Sequence, residues 1–383
     1  MSDINVLDLF CGTGGFSYGF QRYSKRFKIV GAIDLLSHAT DTTKANHPNC
    51  VTFTQDIRTL KPSELERSLK GKQIDLIVGG PPCQGFSSLR PFRSSKEDDP
   101  RNSLFEQFAL FVNYFKPKVF VMENVVGLVT HNKGKTLTVI EDCFRQMGYK
   151  FDWRILNTAN YGVPQKRERF ILIGTRDGGK ISFPTPTHSF KGKSIGVKQK
   201  ERHVLAGTNL PPAVTLDEAI GDLPFIESSM ASSEYGEMPL NEYQQEMRKN
   251  SNILTMHEAA NHSKKMLEII SYSGSNINCI PKNLITSGFS SCYSRLNPNE
   301  PATTLTVKFQ SPASSKCIHP FQDRALTARE GARIQSFNDT YKFNGSKTNI
   351  ISMLGNAVPP LLGKAIASSV IEHFEEVMLE EQA

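Results

Sequence analysis

Val6-Leu7-Asp8-Leu9-Phe10-Cys11-Gly12-Thr13-Gly14-Gly15-Phe16-Ser17 runs from an apolar strand pattern into a glycine-rich turn and then into a helical pattern. Residues without a Cβ let the backbone turn tightly and approach a bound group, and the helix that follows aims its first N–H groups at the same place. A tight strand-to-helix turn that binds nothing uses the same residues, so the turn alone names no ligand. Apolar runs of strand length recur at Ile29-Val30-Gly31-Ala32-Ile33, Val51-Thr52-Phe53, Ile74-Asp75-Leu76-Ile77-Val78 and Val119-Phe120-Val121-Met122, with helical patterns between them. This alternation predicts an α/β fold, a doubly wound and mostly parallel sheet whose sites gather at the carboxyl ends of the strands. Further strands are expected over residues 151–157 and 170–174.

A nicotinamide fingerprint would place a third glycine where Ser17 stands. Asp34, at the end of the second run, is the acid that a ribose hydroxyl pair requires in any nucleoside site of this kind. Asp56, after the third run, can accept from an adenine amino group, with Leu35 and Ile57 as apolar walls for the ring.

The sequence of 383 residues has 38% hydrophobic and 22% charged residues, which suits a globular chain with a sizeable core. No apolar run reaches the roughly 20 residues of a membrane span, and no secretory signal precedes the first strand. The expectation is a cytoplasmic protein, monomeric, with no membrane partner. Seven scattered cysteines without a CxxC pair argue against disulfides and against a metal site. A net charge of +7 suits a polyanionic partner, although by itself it identifies none. From Phe183 to Ser291 the texture turns to Pro, Ser and Asn with short, weakly periodic runs. This predicts a second, smaller and irregular domain over 183–291, with 1–182 and 292–383 forming the main domain. Helices are expected around residues 326–334 and 361–379.

After the fourth strand comes Gly79-Gly80-Pro81-Pro82-Cys83-Gln84-Gly85-Phe86-Ser87. Two prolines stiffen the approach to one cysteine in a polar loop, where a thiol is better placed to react than in a core. The loop that follows, Ser88 to Arg101, carries Arg90, Arg93, Lys96 and Arg101 and reads either as a lid over a phosphate backbone or as a solvated basic loop. Glu123, leaving the apolar fifth strand, is expected to be partly desolvated; that would raise its pKa and let it deliver a proton near neutrality, unless it only caps the next helix. Gln165-Lys166-Arg167-Glu168-Arg169 reads as leading into the next strand with its long side chains alternating on one face. These arginines can donate to a carbonyl, a phosphate or a carboxylate, or form a surface ladder of ion pairs.

The series DLFCGTGGFS, GGPPCQGFS, ENV, QKRER and GNAVPP (Gly355 to Pro360), in that order, resembles the motifs of the bacterial DNA cytosine-5 methyltransferases of restriction-modification systems. The resemblance covers residues 4–175 and about 290–370. It implies a Rossmann-like fold that binds S-adenosylmethionine and releases S-adenosylhomocysteine, acting on a cytosine flipped out of double-stranded DNA. Cytosine C5 is a poor nucleophile until a thiolate adds to C6 and the adduct is stabilised at N3. The resemblance places the nucleophile on Cys83, the N3-contacting acid on Glu123 and base-contacting arginines on Arg167 and Arg169, with Arg167 as a donor to O2 and Gln84 and Ser87 taking part in capture of the base. It places cofactor contacts on Phe10, Asp34, Leu35, Asp56, Ile57, Pro82, Leu104 and Asn356, to which the glycine turn adds Gly12 and Gly14. It makes 183–291 the target recognition domain and implies a separate restriction endonuclease acting beside the protein in the bacterial cytoplasm or nucleoid. Many members carry Glu where Asp34 stands and Trp where Leu35 stands, but neither change removes a required chemical group.

The branch of the family that methylates transfer RNA shares these motifs and adds a Cys-Phe-Thr signature, which this chain does not contain. Amino-methylating enzymes use Asp/Asn-Pro-Pro-aromatic in place of Pro-Pro-Cys. A catalytically dead DNA-binding module would be expected to lose the cysteine or the glutamate.

Overall fold

The computed structural model describes residues 2–82, 103–190, 200–207, 209–285 and 288–380. Cys83, Gln84, Ser87 and the basic loop from Ser88 to Arg101 lie outside the described residues. In chain order the first elements are β1 (Ile4–Leu9), α1 (Gly15–Tyr23), β2 (Phe27–Asp34), α2 (Ser37–Asn46), β3 (Val51–Thr54), α3 (Pro62–Ser68), β4 (Leu76–Gly79), α4 (Ser103–Phe115), β5 (Val119–Val125), α5 (Gly127–Thr130) and α6 (Lys135–Gln146). Then follow β6 (Lys150–Asn157), β7 (Gln165–Lys166), β8 (Glu168–Thr175), α7 (Leu216–Ile220), α8 (Glu242–Arg248), α9 (Lys264–Ser271), β9 (Ala302–Thr303), α10 (Ala328–Ile334), α11 (Lys347–Asn356) and α12 (Pro360–Glu380).

Seven strands form one sheet in the order β3-β2-β1-β4-β5-β8-β6. Neighbours from β3 to β5 are parallel, and β8 runs antiparallel between β5 and β6. The strand β5 shows why the sequence reads as unbroken apolar runs. Val119 and Val121 join an apolar cluster with Phe16, Phe20, Leu362 and Ile366 from α1 and α12. Phe120 and Met122 join a second cluster on the opposite face with Phe108, Phe111, Ile140 and Phe144 from α4 and α6. A strand covered on both faces has no side left for polar residues. The strand order reverses between β1 and β4, and the crevice outside the carboxyl ends at such a reversal is where open α/β sheets receive ligands.

A third apolar cluster joins Leu216, Ala219, Ile220 and Leu254 to Leu296, Phe309, Ala332 and Leu354, so residues on both sides of position 291 share one core. Beside it lies a dense buried charge network. Arg324 donates to both carboxylate oxygens of Glu330 at 2.9 and 2.7 Å. Arg333 donates to both oxygens of Asp339 at 2.6 and 2.7 Å and to Asp222 at 3.0 Å, and Arg329 adds a bond to Asp339 at 3.2 Å. All three arginine side chains are fully buried. Residues 347–376 have the apolarity and length of a membrane-crossing helix, but they form α11 and α12 with a break at Ala357, and 67% of the apolar window is buried inside the protein.

The helices α1 and α12 cross through glycines. A Cβ on Gly19 would lie 2.4 Å from Pro360 O and 2.7 Å from Gly363 Cα. Both distances are far below van der Waals contact with backbone that cannot rotate away. Gly19→Ala is therefore expected to destabilise the protein by about 1–3 kcal/mol, the usual cost of overpacking a core. A urea-unfolding midpoint that does not move would show that the crossing is looser than this.

Candidate active site

The described candidates on the first five strands stand near, at or just beyond a carboxyl end. At the end of β1 the backbone turns left-handed three times within five residues, at Phe10 (φ 62°), Gly12 (φ 51°) and Gly14 (φ 70°). Glycine takes this conformation freely, whereas a bulky residue such as Phe10 does so only where surrounding structure enforces it, as happens at ligand sites. Among the described residues nothing lies within 4 Å of where a Cβ on Gly12 would point, so they leave this face of the turn open. Asp34 braces the turn: one carboxylate oxygen accepts from Gly12 N at 2.9 Å and the other from Leu36 N at 3.0 Å. Burial pushes its pKa up, opposed by those two N–H groups and by His38. Each oxygen keeps a further lone pair for a ligand hydroxyl.

Leu35, at 63% exposed, stands out beside Asp34 as an apolar surface. Ile57 does not match it: at 4% exposed it is a core residue, so its side chain packs beneath the site. Asp56 also departs from the expected free acceptor. Arg58 donates to both of its oxygens, at 3.0 Å from Nε and 2.5 Å from Nη2, and these bonds hold the Asp56 carboxyl below its ordinary pKa. An adenine amino group would have to share Asp56 with this guanidinium. Pro82 and Asn356 are exposed and Leu104 is half-buried. Asp8, one residue before the end of β1, was not singled out from the sequence. It is buried beneath the turn with one oxygen lacking a partner among the described residues, and burial raises its pKa to about 7. A lone acid interrupting an apolar strand was the signal available.

Glu123 lies within β5, directly beside the start of the cysteine loop. Its Oε2 would be 2.8 Å from a Cβ on Gly80, so the missing side chain makes room for the carboxylate. Asn124 Nδ2 donates to Pro81 O at 3.1 Å, which ties the root of the loop to the same strand. Glu123 Oε1 accepts from Arg169 Nε at 2.6 Å, and the two side chains are 11% and 12% exposed. The antiparallel register explains the pair: Val125 faces Arg169 and Glu123 faces Ile171, which makes Glu123 and Arg169 diagonal neighbours. The expectation from desolvation alone left out this cation. Arg167 lies elsewhere. QKRER does lead into the next strand, but its side chains do not share one face: Gln165–Lys166 pairs with β9, β8 begins at Glu168, and Arg167 between them turns inward. Both of its Nη groups are bonded to backbone carbonyls.

A sheet with this strand order, an open glycine turn braced by an acid, and a buried Glu–Arg pair at the root of a Pro-Pro-Cys loop gives the geometry against which relatives can be judged. The family model for C-5 cytosine-specific DNA methylase matches residues 4–372. The chain belongs to that family. It is a DNA cytosine-5 methyltransferase. Among curated relatives of this methyltransferase, the Type II methyltransferase M1.HphI of Haemophilus parahaemolyticus is 38% identical over 372 residues, covering 96% of this chain and 87% of that one. The Type II methyltransferase M.DdeI of Desulfomicrobium norvegicum is 37% identical over 402 residues, covering 98% and 90%. A solved structure described as a prophage-encoded DNA modification methyltransferase of E. coli superposes on the methyltransferase with a TM-score of 0.75. It covers 97% of this chain and 100% of that one at 24% identity, a likeness that speaks to the fold.

Proposed function

We propose that this methyltransferase captures a flipped cytosine as a covalent Cys83–C6 adduct and methylates it from S-adenosylmethionine within a specific duplex site. The observation that carries the reading is the Glu123 carboxylate seated against Gly80, three residues before Cys83, and held there by Arg169. The other thiols support the choice of Cys83. Burial pushes the Cys11 thiol well above its ordinary pKa and takes Cys50 and Cys317 to about 12, so these three stay neutral and unreactive.

The open face of Gly12, the braced Asp34 and the exposed Leu35 fit an adenosyl group. Phe10, Gly12, Gly14, Asp34, Leu35, Asp56, Pro82, Leu104 and Asn356 would hold it, with Ile57 supporting from beneath. S-adenosylmethionine supplies the methyl group there as a sulfonium-activated electrophile. The chain's own part is to make the base nucleophilic. The Cys83 sulfur pair forms a bond to C6, the C5–C6 π pair moves toward C5, and Glu123 holds a proton at N3 so that charge does not build up on the ring. Arg169 has a spare Nη2 among the described residues and is the better placed donor for O2. Once C5 carries the methyl, loss of its proton restores the double bond as the C6–S bond breaks and the thiolate returns.

Residues 183–291 are the target recognition region in this reading, and the Type II names of the relatives support pairing with a separate endonuclease. The test is bisulfite sequencing of DNA from a host expressing the chain, repeated with 183–291 exchanged for the matching segment of a relative. Protected cytosines in one short sequence, moving to another after the exchange, are expected. No protected cytosine would sink the activity, and an unmoved site would sink the recognition assignment.

A further inference from the structure

Arg167 is 2% exposed, and among the described residues its guanidinium makes no direct ion pair, although the Glu123 carboxylate that Arg169 holds is close enough to favour its charge. Instead Nη1 donates to Leu305 O at 3.3 Å and Nη2 to Gly355 O at 3.2 Å. A guanidinium buried against two peptide carbonyls is a poor way to fill space, since an apolar side chain would occupy it without the desolvation cost. What the guanidinium does is fix two distant backbone segments. Gln165 repeats the pattern two residues earlier in the chain. Its Oε1 accepts from Leu305 N at 3.0 Å, and its Nε2 donates at 2.9 Å to Gln335 Oε1, whose own Nε2 donates to Leu354 O at 2.5 Å. Both backbone polar groups of Leu305 and the carbonyls of the two residues before Asn356 are thus held by this one buried cluster. Gly355 is also pressed onto the Thr306–Val307 backbone, where a Cβ would lie 2.4 Å from Thr306 O.

The same chain segment continues into the base site. Thr158 N donates to Arg167 O at 2.9 Å, and two residues on Arg169 is fixed in β8 opposite Val125, with Glu123 on its guanidinium. The turn that presents Asn356 is therefore tied by buried hydrogen bonds to the Arg167 guanidinium, and two residues of backbone lead from Arg167 to the Arg169–Glu123 pair.

We propose that Arg167, braced by Gln165 and Gln335, is a positioning residue that couples occupancy of the cofactor turn at Asn356 to the Arg169–Glu123 pair. The proposal rests on the function read above, and it makes cofactor and duplex binding mutually reinforcing through this cluster. Reciprocity follows from linkage: whatever factor the duplex adds to cofactor affinity, the cofactor adds to duplex affinity.

Calorimetry with S-adenosylhomocysteine tests this, performed on the free protein and on the protein saturated with a duplex bearing the site mapped by bisulfite sequencing. For the wild type the duplex should tighten S-adenosylhomocysteine binding by roughly fivefold or more. For Arg167→Lys, whose point charge cannot span two carbonyls, and for Gln335→Met, which keeps volume but breaks the bracket, the tightening should fall toward onefold. A misfolded fraction lowers the binding stoichiometry and leaves this ratio alone, so the ratio separates positioning from bulk structure. If Arg167→Lys fails to fold, Gln335→Met decides. Wild-type-like ratios in the folded variants, or no tightening in the wild type, would overturn the proposal. A wild type that methylates no cytosine would instead overturn the function it rests on.

Discussion

A target duplex carrying 5-fluorocytosine is expected to become covalently attached to the protein in the presence of S-adenosylmethionine, and Cys83→Ser is expected to abolish the attachment. Release of product requires loss of the C5 proton after methylation, and fluorine cannot leave as a cation, so the adduct has no exit. A serine hydroxyl is far less ionised near neutrality than a thiol and is the weaker nucleophile. Glu123→Gln should slow adduct formation while leaving duplex binding largely intact, because binding rests mainly on phosphate contacts from lysines and arginines. The readout is a denaturing gel of labelled fluorinated duplex. An adduct that persists in the Cys83→Ser protein would move the nucleophile to another thiol, with the exposed Cys279 and the buried Cys292 as the first to examine.

Arg333→Ala is expected to destabilise the protein by about 3–5 kcal/mol, the range seen when one partner of a buried ion pair is removed. The loss is large because Asp339 and Asp222, whose side chains are fully buried with it, each lose their shortest cation contact and keep only longer ones, to Arg329 at 3.2 Å and Arg248 at 3.3 Å. Against a total stability of about 5–15 kcal/mol, this brings the protein near unfolding at ordinary growth temperatures. Urea unfolding followed by circular dichroism measures it, and a change under about 1 kcal/mol would show that the network contributes little. The same network predicts acid sensitivity. Burial works against the charge on Glu330 and Asp339, but the guanidiniums of Arg324 and Arg333 outweigh it and hold both carboxyls below their ordinary values. The stability they confer is complete above the ordinary carboxylate range, near pH 4, and is lost as pH falls through their depressed values.

How much of this was legible depends on how far apart in sequence the partners lie. The sheet was legible because the strands carry their own signature, a mostly apolar run of three to five residues ending in a polar or glycine turn. Asp34 and Glu123 were legible for the same reason, since position at a strand end is a local property. The charge network was not: Asp222 and Arg333 are separated by 111 residues, and nothing near either one announces the other. QKRER misled because its alternation is that of a continuous strand. A strand break between Lys166 and Glu168 arises from pairing with Ala302–Thr303, more than 130 residues away. Ile57 misled in a similar way, since proximity to Asp56 in sequence says nothing about which side of the sheet a side chain faces.

The crossing of α1 and α12 through Gly19 and Gly363 has a consequence for how the protein is made. During synthesis β1 and α1 leave the ribosome early, but the apolar face they share with Leu362, Ile366 and Val370 stays uncovered until some 350 further residues have been added. Vectorial synthesis therefore cannot finish the methyl-donor half first and the remainder later. A chain halted midway presents a bare hydrophobic sheet, the kind of species that chaperones retain and that otherwise aggregates. Order of emergence and order of assembly run opposite to each other, and the helix that closes the first strand is among the last to appear.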